Sequence, residues 1–118
     1  MDLKSAVVGY QFAERAKSEL IVCSQLLTAL GSFPKTEQAG GRRMLIMVLE
    51  ATRSELEFAR NSTEKSEFRK AADLLSEAIS LTESEGYGAA ALKVSEAVSA
   101  STTVAQESWQ VLSEHGIL

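Results

Sequence analysis

The chain is poor in the residues that most often carry chemistry. In 118 residues it has one cysteine (Cys23), one histidine (His115), one tryptophan (Trp109) and one proline (Pro34). A single cysteine excludes an intrachain disulfide and a thiolate-rich zinc site, both of which need several thiols. A single histidine excludes the paired Glu-x-x-His ligands that helical bundles project inward around metals, and Leu112 stands three residues before it. It also leaves the many serines and threonines without the acid–histidine pair that a triad requires. Long apolar runs are missing as well. The longest, Met44 to Leu49, has six residues, against the roughly 20 that span a bilayer. The opening MDLKSAVVGYQFAER meets charge before a signal-peptide core can build. Excess positive charge is absent too: 12 Lys and Arg against 16 Asp and Glu give a net charge of −4. That balance disfavours nucleic-acid binding, which draws most of its energy from neutralised phosphates. The absences lead to the expectation of a cytoplasmic, non-membrane protein that is not an enzyme and holds no metal or cofactor.

What is present is helical periodicity. Hydrophobic residues make up 45% and charged residues 24% of the chain, a balance that folds, and the length suits one domain spanning 1–118. Ala6, Gly9, Ala13, Ala16, Leu20, Cys23, Leu27 and Leu30 alternate steps of three and four, the seam of an amphipathic helix over about 2–31. Val7, Val8, Ile21 and Val22 widen that seam and predict a helix covered on more than one side. Asp2 is placed to cap it. A second helix, about 42–60, carries Leu45, Leu49, Thr52, Leu56 and Ala59. Asn61 to Thr63 reads as its end and as the cap of a third helix, about 63–85, with Phe68, Ala71, Ala72, Leu75, Ala78, Ile79 and Thr82. The fourth, about 88–115, carries Val94, Val98, Ser101, Ala105 and Leu112. Gly116 followed by Ile117 reads as a glycine stop with a hydrophobic contact.

No stretch alternates with period two, so the fold class is all-α. Short connections predict an antiparallel up-down-up-down four-helix bundle. The first and fourth helices are the longest in this reading, and their overhang leaves apolar surface for a partner subunit. Antiparallel geometry also places Gly9 opposite Trp109, with the notch of Ala6, Gly9 and Ala13 ready to receive the indole. Cys23 falls on the seam as an inert core thiol, and His115 sits in a last helical turn as a cap. Glu57 with Arg53 or Arg60, and Arg69 with Asp73, are spaced as ordinary surface pairs.

The stretch GSFPKTEQAGGRR, residues 31 to 43, interrupts this pattern. It resembles a phosphate-binding P-loop only in its Lys-Thr, because Pro34 stands where the glycine belongs and a helix precedes it. Read as a loop, it puts Arg42 and Arg43 at a helix N-terminus beside Gly40 and Gly41, an arrangement suited to an anion. Glu37 is available to neutralise the arginines instead. Lys35, Arg42 and Arg43, with Phe33 and Tyr87 at the same end of the bundle, are therefore the candidate anion- or partner-binding residues.

Within that stretch, FPKTEQAG resembles the Phe-Pro-Lys-x-Glu-x-x-Gly segment of the small four-helix proteins encoded by intervening sequences in 23S ribosomal RNA genes. It is similar too to the related accessory proteins of diversity-generating retroelements. Phe33, Pro34, Lys35, Glu37 and Gly40 carry the likeness, and SEFRKAADLLSEA from Ser66 is loosely similar to that family's third helix. The arginine pair follows the glycine directly, where the family has several residues between. The resemblance implies a four-helix bundle that assembles as a ring-like homo-oligomer and acts by binding, without catalysis. The expected function is thus an oligomeric binding or scaffold module, with a protein partner possible. One alternative is a nucleic-acid-associated bundle using Lys35, Arg42 and Arg43. A second is a small-molecule site or enzyme centre inside the bundle, lined by Ser99, Ser101 and Thr102.

Overall fold

The computed structural model describes residues 1–118. Four helices follow one another, α1 (Leu3–Gly31), α2 (Lys35–Thr63), α3 (Ser66–Glu83) and α4 (Tyr87–Glu114). Each packs on the next and α4 closes back on α1, giving the up-down-up-down four-helix bundle that the periodicity predicts. The connections 32–34, 64–65 and 84–86 are long enough only to reverse direction. The result is a rod measuring 54 × 22 × 18 Å.

All eight seam residues of α1 are buried, and so are the five stripe residues of α2. Gln38 joins them, its amide donating to the Phe33 carbonyl at 3.0 Å. From α3 come Phe68, Leu75 and Thr82, fully enclosed, and Leu74 is buried beside them. α4 adds Ala90, Ala97, Ala100, Val104 and Ser108 to the residues expected, while Val98 is only half-buried. Small side chains on α1 and α4 bring those two helices close. A Cβ on Gly9 would lie 2.9 Å from Ser108 Oγ.

The notch therefore receives Ser108 and not the indole. One residue further along a helix turns the side chain by about 100°, which leaves Trp109 half-exposed between α4 and α1. The expectation of a core tryptophan is corrected accordingly.

The second correction concerns residues 31 to 43. α2 starts at Lys35, seven residues before the expected boundary, and the supposed loop is a three-residue turn. The Pro34 carbonyl accepts the amides of Glu37 at 2.8 Å and Gln38 at 3.1 Å, so proline opens the helix. Gly40 and Gly41 lie inside it. Gly41 has a packing reason to lack a side chain, since a Cβ there would sit 2.7 Å from Leu30 Cδ1 and 3.1 Å from Phe33 Cε2. A glycine that reads as a breaker is here a seat for the incoming turn.

With 29 residues each, α1 and α2 are equally long, and only α3, at 18 residues, is short. The excess length expected of α1 and α4 over both inner helices therefore holds against α3 and not against α2. Asn61 to Thr63 remain helical. Glu64 ends α2 at φ 57° with its N–H on the Arg60 carbonyl, and the Thr63 hydroxyl donates to Ala59 O at 2.7 Å. Glu85 likewise takes φ 66°, leaving Gly86 to send its N–H to Leu81 O at 2.7 Å. The two outer ends behave as expected. Asp2 accepts the Ser5 amide at 2.7 Å, a bond that holds its carboxyl below the usual range. Gly116 sits at φ 71° and the Ile117 amide reaches Leu112 O at 2.9 Å.

Candidate functional site

The antiparallel arrangement does bring the α1–α2 and α3–α4 turns to one end, and Arg42 and Tyr87 meet there. Arg42 donates to Tyr87 Oη at 3.0 Å and lies 3.5 Å from the Glu85 carboxylate. The Tyr87 hydroxyl, chiefly, holds the guanidinium pKa above its ordinary value. Arg42 lies two turns inside α2, not at its N-terminus, so its charge ties α2 to the α3–α4 turn. Gly40 and Gly41, within the continuous helix, offer no open row of amides. The anion cradle read from residues 31 to 43 is thus not formed as expected. Phe33 packs against Gly41, while Lys35 and Arg43 stay exposed.

The other sequence candidates stay apart from one another. Cys23 is enclosed, 3.6 Å from Thr52 Oγ1, and burial pushes its thiol pKa up, away from nucleophilic use. His115 uses Nδ1 on the Val111 carbonyl at 2.8 Å, closing the last turn of α4. Ser99 and Thr102 turn their hydroxyls back to the carbonyls of Ser95 and Val98, and the buried Ser101 Oγ has no partner. No three His, Cys, Asp or Glu side chains gather as a metal would need. The surface pairs expected at Glu57 and Arg69 are replaced by others. Arg15 joins Glu19 and Glu55, Lys17 joins Glu14, and Lys93 joins Glu77. Arg53 reaches across to Ser76 Oγ.

What the structure adds is a groove along the outer side of α1 and α2. At one end Phe12, Ala16, Phe58 and Ala59 flank a cleft of about 260 Å³, with Arg15, Glu19 and Glu55 in its wall. The rings of Phe12 and Phe58 lie 5.8 Å apart, and on its inner side Phe12 meets the buried Phe68 at 6.4 Å. The groove continues through Ser18, Val22, Val48 and Ala51. One helical turn on, Leu26 and Met44 extend the same two stripes. Met44 is 68% exposed, Met47 65% and Phe58 64%. Nothing in the chain covers them.

No family model, curated protein or solved structure matches this chain.

Midway along the groove, two carboxylates face each other. Glu55 accepts from Arg15, yet its Oε2 is buried without a partner. Its interaction with Glu19, and then burial, raise its pKa above the ordinary value despite Arg15. The groove is not evident in the sequence, where the core stripe of α2 accounts for its helical periodicity. A signal was available: Met44, Ala51 and Phe58 are spaced by seven, with Val48 and Glu55 between them, beside the stripe that fills the core. Ile21 and Val22 were expected to be covered. Both are about half-exposed, while Val7 and Val8 are partly buried, so the second side of α1 is open towards its C-terminal end.

Proposed function

We propose that this protein is a non-catalytic helical bundle that works as an oligomeric binding or scaffold module. One observation carries the reading. Met44, Met47, Val48 and Phe58 of α2, together with Val22 and Leu26 of α1, are large apolar side chains left in water on one flank. Scattered exposed apolar residues are ordinary, but a contiguous stripe of them along two neighbouring helices is the composition of an interaction surface. Methionine suits such a surface because its side chain adapts to what it meets. In addition, no helix here is long and apolar enough to cross a membrane, so a spanning segment is not what the stripe serves.

The test is solution mass, measured by light scattering on the purified chain at low and high salt. Burial of apolar surface predicts an assembly larger than one chain that survives high salt, because hydrophobic contact is not screened as ion pairs are. A monomer under both conditions, over the micromolar range, overturns the oligomeric reading.

A further inference from the structure

The open groove has a shape that suits a particular occupant. α2 carries two stripes. Leu45, Leu49, Thr52, Leu56 and Ala59 enter the core, while Val48, Ala51, Glu55 and Phe58 line the outer groove and the exposed Met44 continues their stripe. The outer stripe keeps heptad spacing, the pattern by which one helix seats another. Its bulk is arranged about a centre. Ala51 is small, and the large side chains Met44 and Phe58 stand seven residues to either side.

We infer that the α1–α2 face is a two-fold interface with a second copy of this chain, the two α2 helices running antiparallel and crossing at Ala51. The inference rests on the oligomeric reading above and names its surface and symmetry. Reversing one copy about Ala51 brings Met44 level with Phe58 of the second copy, a thioether against an aromatic ring. Val48 comes level with Ser54 of the second copy, and Glu55 with its Met47, both pairs at the edge of the stripe. Ala51 meets Ala51, which lets the backbones close. A two-fold contact demands this kind of self-match, in which one patch serves both partners.

The size of the face agrees with it. A helix of 29 residues is about 43 Å long, and two neighbouring helices present a strip about 20 Å wide. The whole face is on the order of 800 Å² per partner, the area a stable specific interface buries. The apolar stripe from Met44 to Phe58, about 22 Å long, makes up about half of it, with a polar remainder as interfaces commonly have. Arg15 is already engaged with Glu19 and Glu55 of its own chain, so it offsets one of the two carboxylates that the face turns towards its copy. The opposite flank offers no such strip, because α3 has no large exposed apolar side chain and α4 has only Leu92 and Trp109.

The experiment compares three variants of the full chain with the wild type. Ala51→Cys, treated with oxidised glutathione, is expected to give a covalent dimer. Leu92→Cys on the outer face of α4 is expected to give none, and the native Cys23 is enclosed and stays out of the reaction. The double variant Met44→Glu with Phe58→Glu changes only exposed positions, so its helical circular dichroism is expected to match the wild type. Its dimer Kd is expected to rise at least about thirtyfold, the loss typical when large apolar anchors of an interface are replaced. An assembled wild type whose mass ignores the double variant, with no cross-link at position 51, overturns this surface and leaves the oligomeric reading standing. An odd-numbered assembly overturns the two-fold geometry alone. A monomeric wild type overturns both.

Discussion

The flank formed by α1 and α2 and the flank formed by α3 and α4 use the same core differently. On α3 and α4, apolar residues point inward and the outer positions are polar, apart from Leu92 and the partly covered Trp109. On α1 and α2, a buried stripe is accompanied by a second apolar stripe that faces water. Burying a side chain is favourable wherever the cover comes from. A helix with apolar residues on two sides is therefore a helix with two neighbours to find. α3 and α4 have found theirs within the chain. α2 packs on both α1 and α3 and still carries an apolar stripe that neither of them covers.

Phenylalanine provides the sharpest way to break the comparison, because Phe12 touches one ring from each regime. Phe68→Ala empties a site that is fully enclosed and is expected to cost about 3–5 kcal/mol. Phe58→Ala removes a ring that is mostly in water and is expected to cost the isolated chain only about 0.5–1 kcal/mol, the worth of the aromatic pair. Urea midpoints at two protein concentrations check both. A Phe58→Ala loss that grows with concentration reports association. Equal losses for the two variants at the lower concentration mean that the flanks do not differ.

A second pair of variants asks how α2 reaches its place. Gly40 and Gly41 are neighbours in the same helix, yet a Cβ on Gly40 meets nothing within 4 Å while one on Gly41 strikes Leu30 and Phe33. Gly40→Ala is expected to stabilise by about 0.5–1 kcal/mol through helix propensity. Gly41→Ala is expected to cost about 1–3 kcal/mol through overpacking of the turn. If both alanines stabilise, the turn is not seated on Gly41 and the register of α1 against α2 is set elsewhere.

The same residues explain what could be read without coordinates. The seam of α1 was fully legible because helical spacing and burial are linked directly, and every residue it named is inside. The meeting of Arg42 with Tyr87 was foreshadowed by topology, since antiparallel helices put the first and third turns at one end. The start of α2 was not legible. Proline reads equally as a break and as a helix start, and here Pro34 opens α2, while the glycine pair, a local signal for a break, has a tertiary use, with Gly41 admitting Phe33. Trp109 failed for a finer reason, a one-residue error in register that rotates a side chain out of the core. The groove was hidden because two stripes on one helix look, in sequence, like one diffuse apolar segment.

The smallest expected effect concerns the middle of the groove, where the open flank carries charge. Glu55 has a folded-state pKa above its ordinary 4.5, because Glu19 and burial outweigh the attraction of Arg15. The folded chain thus holds this proton to higher pH than the unfolded chain does. Above the folded value the charged carboxylate is a burden on folding; as pH falls through that value toward 4.5 the burden is lifted. Glu55→Gln removes the charge at every pH while keeping the shape. The variant is expected to be more stable than the wild type at pH 7, and that advantage should shrink as the pH is lowered from 7 toward 4.5. Glu19→Gln is expected to flatten the same pH dependence, since it removes the neighbour that raises Glu55. An advantage of Glu55→Gln that grows on acidification would mean that Arg15 dominates the site. The carboxylate would then be a stabilising partner of α1, and the groove would carry no built-in response to pH.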